Sequence, residues 1–153
     1  MKLLYTQTQE EFEAEIVEID KKDLKRIVKS KQFQFDWSKE KNVFKIVSLE
    51  DENSEILGLI SIINIPEELR ILINLVENAN DNKGKNKKVD RVAGCLLAFA
   101  VQIAFEKGYL GFTSLVPKTE LINLYIRKYG FSQFGRQLAI ERKEAIKLIQ
   151  KYL

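Results

Sequence analysis

The segment from Leu69 to Val116 constrains the fold more than any other. Leu69 to Glu77 is a nearly continuous run of Leu, Ile and Val. A polar loop, NANDNKGKNKK, follows from Asn78 to Lys88, and then a long apolar stretch, VDRVAGCLLAFAVQIAFEKG, from Val89 to Gly108. Val92, Leu96, Phe99 and Ile103 recur at helical spacing, widened by Ala93, Leu97, Ala100 and Ala104, which predicts a helix over Asp90–Lys107. Gly108 suits the left-handed position just past its end. Gly111 to Val116 is a further strand, stopped by Pro117. Two strands joined by a helix of this length imply a parallel pair with a right-handed crossover.

The loop before the helix has its own chemistry. It carries Lys83, Lys85, Lys87 and Lys88, with Arg91 just beyond, and Gly84 lets the backbone turn tightly. The first amides of the helix, at Val92, Ala93 and Gly94, have no intrahelical acceptor, and the helix dipole favours an anion there. A cationic loop running into such a helix is suited to a phosphate group. Taken alone, the same lysines read equally well as a solvated face.

The remaining chain supplies more strands than helices. Phe12, Ala14 and Ile16 alternate with glutamates, which predicts a strand over Phe12–Ile19. Asp20 then reads as a helix N-cap with Asp23 at the third helical position, and Leu24, Ile27 and Val28 as the apolar face. Phe33, Phe35 and Trp37 are expected to pack that helix against a sheet. Val43–Leu49 and Ile56–Ile65 are strands, with Pro66 ending the second and a turn at Glu67-Glu68. Thr119–Tyr129 is a helix, Phe131–Glu141 holds one or two late strands turning at Gly135, and Arg142–Leu153 is a final helix presenting Ala145, Ile149 and Tyr152.

Composition narrows the chemistry. The chain has 153 residues, enough for one domain over residues 1–153, and no linker or repeat interrupts it. With 25 basic and 22 acidic residues it carries a net +3, so any basic site must be local. The absence of His excludes Ser-His and Cys-His nucleophiles, and one cysteine, Cys95, excludes an internal disulfide and a multi-Cys metal site, so no metal is expected. Cys95, inside an apolar helix, reads as a small buried hydrophobe. No apolar signal-peptide core or membrane span is evident, so a cytoplasmic protein is expected.

The element order is strand, helix, three antiparallel strands, cationic loop with long helix, strand, helix, Gly-Phe and late strands. It resembles the GNAT superfamily, the acetyl-CoA-dependent N-acetyltransferases. Locally the likeness lies in LINLVENANDNKGKNKKVDRVAGCLLAFAVQIAFEKGYLGFTSLVPKTELINLYIRKYGF. The family's loop motif is [QR]-x-x-G-x-[GA]. Gly94 takes its second glycine position, while Val92 and Val89 replace the first glycine and the basic residue. The basic, glycine-bearing part lies earlier, around Gly84. The family tyrosine stands four residues before the Gly of Gly-Phe; Ile126 occupies that position here, with Tyr125 one residue earlier and Tyr129 as a second candidate.

The resemblance implies an α/β fold with a mixed, mainly antiparallel central sheet, helices on both faces, and the parallel fourth and fifth predicted strands splayed apart. It implies acetyl-CoA as co-substrate, with its pyrophosphate near Lys88–Gly94 and Lys83, Lys85 or Lys87 close by. Direct attack of a primary amine on the thioester needs a base, a donor to the thioester oxygen and an acid for the departing thiolate. Glu77 is the candidate base and Tyr125 the candidate acid, with Tyr129 as the alternative. Two other readings stay open: acyl-CoA binding without turnover, and a nucleic-acid or nucleotide-binding module built on Lys83–Arg91, which the balanced net charge disfavours. The acceptor is open among a small amine, a protein N-terminus, a lysine and an aminoacyl-tRNA. A homodimer is compatible with the sequence.

Overall fold

The computed structural model describes residues 1–117 and 121–153. The predicted start of a helix at Thr119 lies outside the described residues. The strands hydrogen-bond in the order β6-β1-β2-β3-β4-β5-β7-β9-β8, where β1 is Lys2–Tyr5, β2 Glu11–Glu18, β3 Val43–Ser48, β4 Gly58–Ile65, β5 Arg70–Asn78, β6 Val89–Asp90, β7 Thr113–Leu115, β8 Ser132–Phe134 and β9 Gln137–Ile140. The helices are α1 (Lys21–Ser30), α2 (Val92–Glu106), α3 (Ile122–Tyr129) and α4 (Arg142–Tyr152). The chain forms two compact units, Met1–Ser61 with Leu75–Leu96, and Ile62–Asn74 with Leu97–Leu153.

In the first unit, β2 pairs antiparallel with β3 (Ile16 opposite Ile46), and β3 with β4 (Phe44 opposite Ile60). Two strands here were not expected from the sequence. β1 pairs antiparallel with β2 (Leu3 opposite Phe12) and with β6 (Leu4 opposite Asp90). They are four and two residues long, too short for a readable alternation. α1 starts as expected: the Asp20 side chain accepts from Asp23 N–H, and the Asp23 side chain from Asp20 N–H, a reciprocal capping box. Its buried face differs from expectation. Asp23 and Ile27 point inward while Val28 is 73% exposed. A long-range ion pair accompanies the difference: Lys45 Nζ lies 2.9 Å from Asp23 Oδ2, so the helix buries its Asp23 side and leaves Val28 outside. Ile27 packs with Trp37, Val43, Val47, Ile56 and Leu59, and Phe33 lies against the same cluster. Trp37 is thus core, as expected, whereas Phe35 is exposed.

In the second unit, β5 and β7 run parallel, with Ile71 opposite Thr113 and Leu72 opposite Ser114. That is the crossover geometry expected of a strand–helix–strand unit. β7 then pairs antiparallel with β9, and β9 with β8 through a turn at Gly135 (φ 63°). α2 is buried nearly all round: Ala98, Ala100, Val101 and Ala104 have no exposed surface, while Phe99 and Ile103, expected at the centre of its buried face, are only half-buried. Gly108 (φ 83°) donates to Phe105 C=O and Tyr109 N–H donates to Ala104 C=O, which closes the helix as a Schellman motif. In α4 the inward residues are Ala145, Leu148 and Tyr152, with Ile149 half-buried.

Candidate functional site

The first group of candidate residues lies where β5 ends. Glu77 is 5% exposed, and its carboxylate is saturated. Oε1 accepts from the Trp37 indole at 2.9 Å and from Phe35 N–H at 3.2 Å; Oε2 accepts from Gln34 N–H at 2.8 Å and Lys83 Nζ at 2.9 Å. A carboxylate has about four lone-pair sites, so these donors fill it. Burial alone would raise its pKa. The Gln34 amide, the Lys83 ammonium, the Trp37 indole and the Phe35 amide outweigh burial and hold the carboxyl below its ordinary value.

Further bonds stitch the same two segments together. Asn80 N–H donates to Gln32 C=O at 2.8 Å, Asn80 Nδ2 to Lys31 C=O at 3.1 Å, and Asp81 N–H to Gln32 Oε1 at 3.0 Å. The aromatic segment and the start of the cationic loop are therefore one hydrogen-bonded body. Sequence reasoning missed the bonds between these two segments, because contacts across some forty to fifty residues leave no local signal. One buried acceptor in this region, Asn78 Oδ1, has no hydrogen-bond partner among the described residues.

The cationic loop is more constrained than its composition suggests. Lys83 is held by Glu77 and Asn80 Oδ1, Lys87 pairs with Asp90 at 2.8 Å, and Lys88 pairs with Asp81 at 3.4 Å. Lys85 is exposed, and among the described residues no carboxylate lies within ion-pair distance of it. Gly84 takes a left-handed conformation (φ 68°), with open space around it. The N-terminal strand ties the loop down: Thr6 N–H donates to Lys88 C=O, Thr6 Oγ1 to Lys87 C=O, and Arg91 Nε to Lys2 C=O.

Arg91 stands immediately before α2 with φ 77°, a region that non-glycine residues rarely occupy. Its N–H is bound by Asp90 Oδ1, and its carbonyl accepts the first helical bond, from Cys95 N–H at 3.0 Å. Val92, Ala93 and Gly94 form the first turn. Val92 and Gly94 are buried and Ala93 half-buried. Gly58 explains how the turn sits so close to β4, since a Cβ there would lie 2.6 Å from Val92 Cγ1. Burial pushes the Cys95 thiol up to about 11, which makes it a poor nucleophile at neutral pH.

The second group lies in the other unit. Tyr125 and Tyr129 are the buried residues of α3, and Gly130 (φ 83°) ends the helix by donating to Tyr125 C=O. The Tyr125 ring meets Tyr129 at 5.7 Å and Phe131 edge-on at 5.8 Å, and Tyr129 meets Tyr152 at 6.0 Å. Leu121 and Leu124 are exposed. Burial pushes the Tyr125 phenol up to about 12, so it is fully protonated at neutral pH.

No protein-family model matches the chain. No curated protein matches it in sequence. Solved structures do match its fold. A mutant form of the spermidine/spermine N-acetyltransferase SpeG from Vibrio cholerae aligns at TM-score 0.60 and 15% identity, covering 88% of this chain and 96% of that one. The PaiA N-acetyltransferase from Thermoplasma acidophilum, solved with coenzyme A, aligns at 0.55 and 15%, covering 86% and 99%. A GNAT family acetyltransferase from Brucella melitensis, solved with acetyl-CoA, aligns at 0.53 and 12%, covering 85% and 88%. At such identities the likeness speaks for architecture, and the parallel β5–β7 pair within a mainly antiparallel sheet agrees with it. The chain has the fold of the GNAT N-acetyltransferases.

Proposed function

We propose that this chain is a single-domain N-acetyltransferase that moves an acetyl group from acetyl-CoA to a primary amine. The observation that carries the reading is the fold combined with a helix start, Arg91–Gly94, that follows a cation-bearing loop. The amides of Val92, Ala93 and Gly94 and the charges of Lys85 and Arg91 suit the pyrophosphate of the co-substrate. Lys83, Lys87 and Lys88 serve it only after leaving their carboxylate partners.

Attack of the neutral amine on the thioester carbon forms the C–N bond and expels the coenzyme A thiolate. Tyr125 is the proposed proton donor to that thiolate, with Tyr129 as the alternative. Burial keeps the phenol protonated at neutral pH, so it presents an O–H to the departing sulfur, although the shift to about 12 makes it a weaker acid than a free tyrosine. Glu77 was the candidate base on sequence grounds. Its four donors and lowered pKa favour a different role, that of an anchor for Gln34–Trp37 and Lys83. The ammonium proton then leaves through water. The saturation of Glu77 also favours a second reading, acyl-CoA binding without turnover.

A thiol-release screen separates the two. Polyamines, the acceptors in the name of the Vibrio protein, come first, followed by amino acids and short peptides. Amine-dependent release of free thiol supports transfer. Acetyl-CoA binding with no release across the panel supports the second reading.

A further inference from the structure

We propose that the outer face of α1 is a docking surface for nucleic acid, gripped by its phosphates. The inference is independent of the acetyltransferase reading. Residues 21–31 hold six cations and a single acid, Asp23; the rest of the chain holds 19 cations against 21 acids. The positive charge of the protein is therefore concentrated on one helix, although its total is nearly balanced.

The structure sharpens that concentration. Asp23 is buried against Lys45, so no carboxylate remains on the outer face of the helix. Lys21, Lys22, Lys25, Lys29 and Lys31 are all exposed, and among the described residues none lies within ion-pair distance of a carboxylate. At 100° per residue, Lys21, Lys25, Lys29 and Lys22 share one stripe opposite the buried Asp23 and Ile27. Lys21 to Lys29 spans roughly 12 Å at about 1.5 Å per residue. Lys21 and Lys22 also sit in the first turn, where the helix dipole disfavours cations. Stability does not account for them there. The lysines of the 83–88 loop contrast with these, because Lys83, Lys87 and Lys88 are already paired.

The surroundings select among anionic partners. A lipid surface would need an apolar face to insert, but Ile27 is committed to the core and Val28 is a lone exposed hydrophobe on this helix. An acidic protein would meet like charge beside the stripe. A cleft of about 310 Å³ opens there, lined by Arg26, Gln32, Phe33, Asp51 and Glu55 among others. The carboxylates of Asp51 and Glu55 repel an acidic side chain, yet they accept hydrogen bonds from the exocyclic amines of a base, and Phe33 offers an aromatic edge. Lysine point charges along the helix with a mixed polar cleft beside them fit a phosphate backbone carrying bases.

The test is binding of a labelled single-stranded RNA of mixed sequence, followed by fluorescence anisotropy from low to physiological salt. Affinity should fall with salt at a logarithmic slope of about −2 to −3.5, as expected for three to five lysine–phosphate contacts. Lys21→Glu/Lys25→Glu/Lys29→Glu should weaken binding at least tenfold. The same positions changed to Arg should retain it, which shows that the helix tolerates substitution. A control triple of equal charge change, Lys107→Glu/Lys143→Glu/Lys147→Glu, should bind within about twofold of the parent. Equal losses in both triples, no RNA binding at low salt, or preferential capture of polyglutamate or of phosphatidylglycerol vesicles would each overturn the proposal.

Discussion

The Trp37 indole N–H donates to Glu77 Oε1 at 2.9 Å, and neither side chain reaches water to any extent. One carboxylate at the end of β5 thereby fixes a segment forty residues earlier. Trp37→Phe removes the donor and replaces the buried indole with a smaller ring, and should cost about 1–3 kcal/mol in denaturant unfolding. Glu77→Gln puts an amide donor where four donors converge and should cost more, on the order of 3 kcal/mol. If Glu77→Gln unfolds at the parent midpoint, the carboxylate is not an anchor.

The same group sets an acid dependence. Its folded pKa lies below the ordinary value, so the unfolded state binds a proton at higher pH than the folded state does. Between the two values stability rises with pH; it is fully present above the ordinary carboxylate range and lost as pH falls through the folded value. The acid limb of stability against pH should be shallower in Glu77→Gln than in the parent. Parallel limbs would assign the acid dependence to other carboxylates, such as Asp23, whose pKa is also lowered.

Charges in the loop should separate by partner. Lys85→Glu with Lys87→Glu should weaken acetyl-CoA binding at least tenfold and shift unfolding by no more than about 1 kcal/mol, because Lys85 is exposed and the partly exposed Lys87–Asp90 pair contributes little. Lys83→Ala should destabilise the fold, since it strips one donor from buried Glu77. Isothermal titration and denaturant melts on the same preparations distinguish the effects. Unchanged affinity in the double variant would leave the loop as a solvated basic segment.

Gly58 offers a test of the helix start. Gly58→Ala places a Cβ 2.6 Å from Val92 Cγ1 and 3.3 Å from the Glu77 carbonyl, and should cost about 1–3 kcal/mol by overpacking. Adding Val92→Ala should recover part of that loss. A strictly additive double variant would show that the two residues do not compete for the same space.

How much the sequence disclosed depended on range. Asp20 and Asp23, three apart, were readable as a cap, and Gly108, Gly130 and Gly135 as helix and hairpin ends, because each motif is local. The crossover from β5 to β7 followed from apolar runs of sufficient length. β1 and β6 were not readable, since they owe their existence to each other and to β2. Val28 was misplaced because the Asp23–Lys45 pair is invisible to periodicity. Among the candidate residues, Tyr125 and Tyr129 were legible as helix residues next to Gly-Phe, whereas their burial became visible only in the fold. The bonds from Gln34, Phe35 and Trp37 to Glu77 were not legible, because they join segments some forty residues apart, and the pairing of Lys83, Lys87 and Lys88 was not, because those spacings carry no helical or strand period in a loop.

Tyr125→Phe isolates the proposed acid. The ring contacts with Tyr129 and Phe131 survive, so stability and acetyl-CoA affinity should hold, while the chemical step slows roughly 10²–10⁴-fold. Tyr129→Phe, measured in parallel, should retain most activity. Full activity in both would remove tyrosine from the mechanism and leave water or the Cys95 thiol as the proton source.

The most direct measurement is a calorimetric titration of the protein with acetyl-CoA, completed by addition of the amine panel and detection of free thiol. An acetyltransferase should show saturable binding at one site, with an affinity in the range of about 1 μM to 1 mM typical of enzyme substrates, and thiol release that depends on an amine. Absence of binding at millimolar acetyl-CoA, or binding with no release for any amine, would contradict acetyl transfer by this chain.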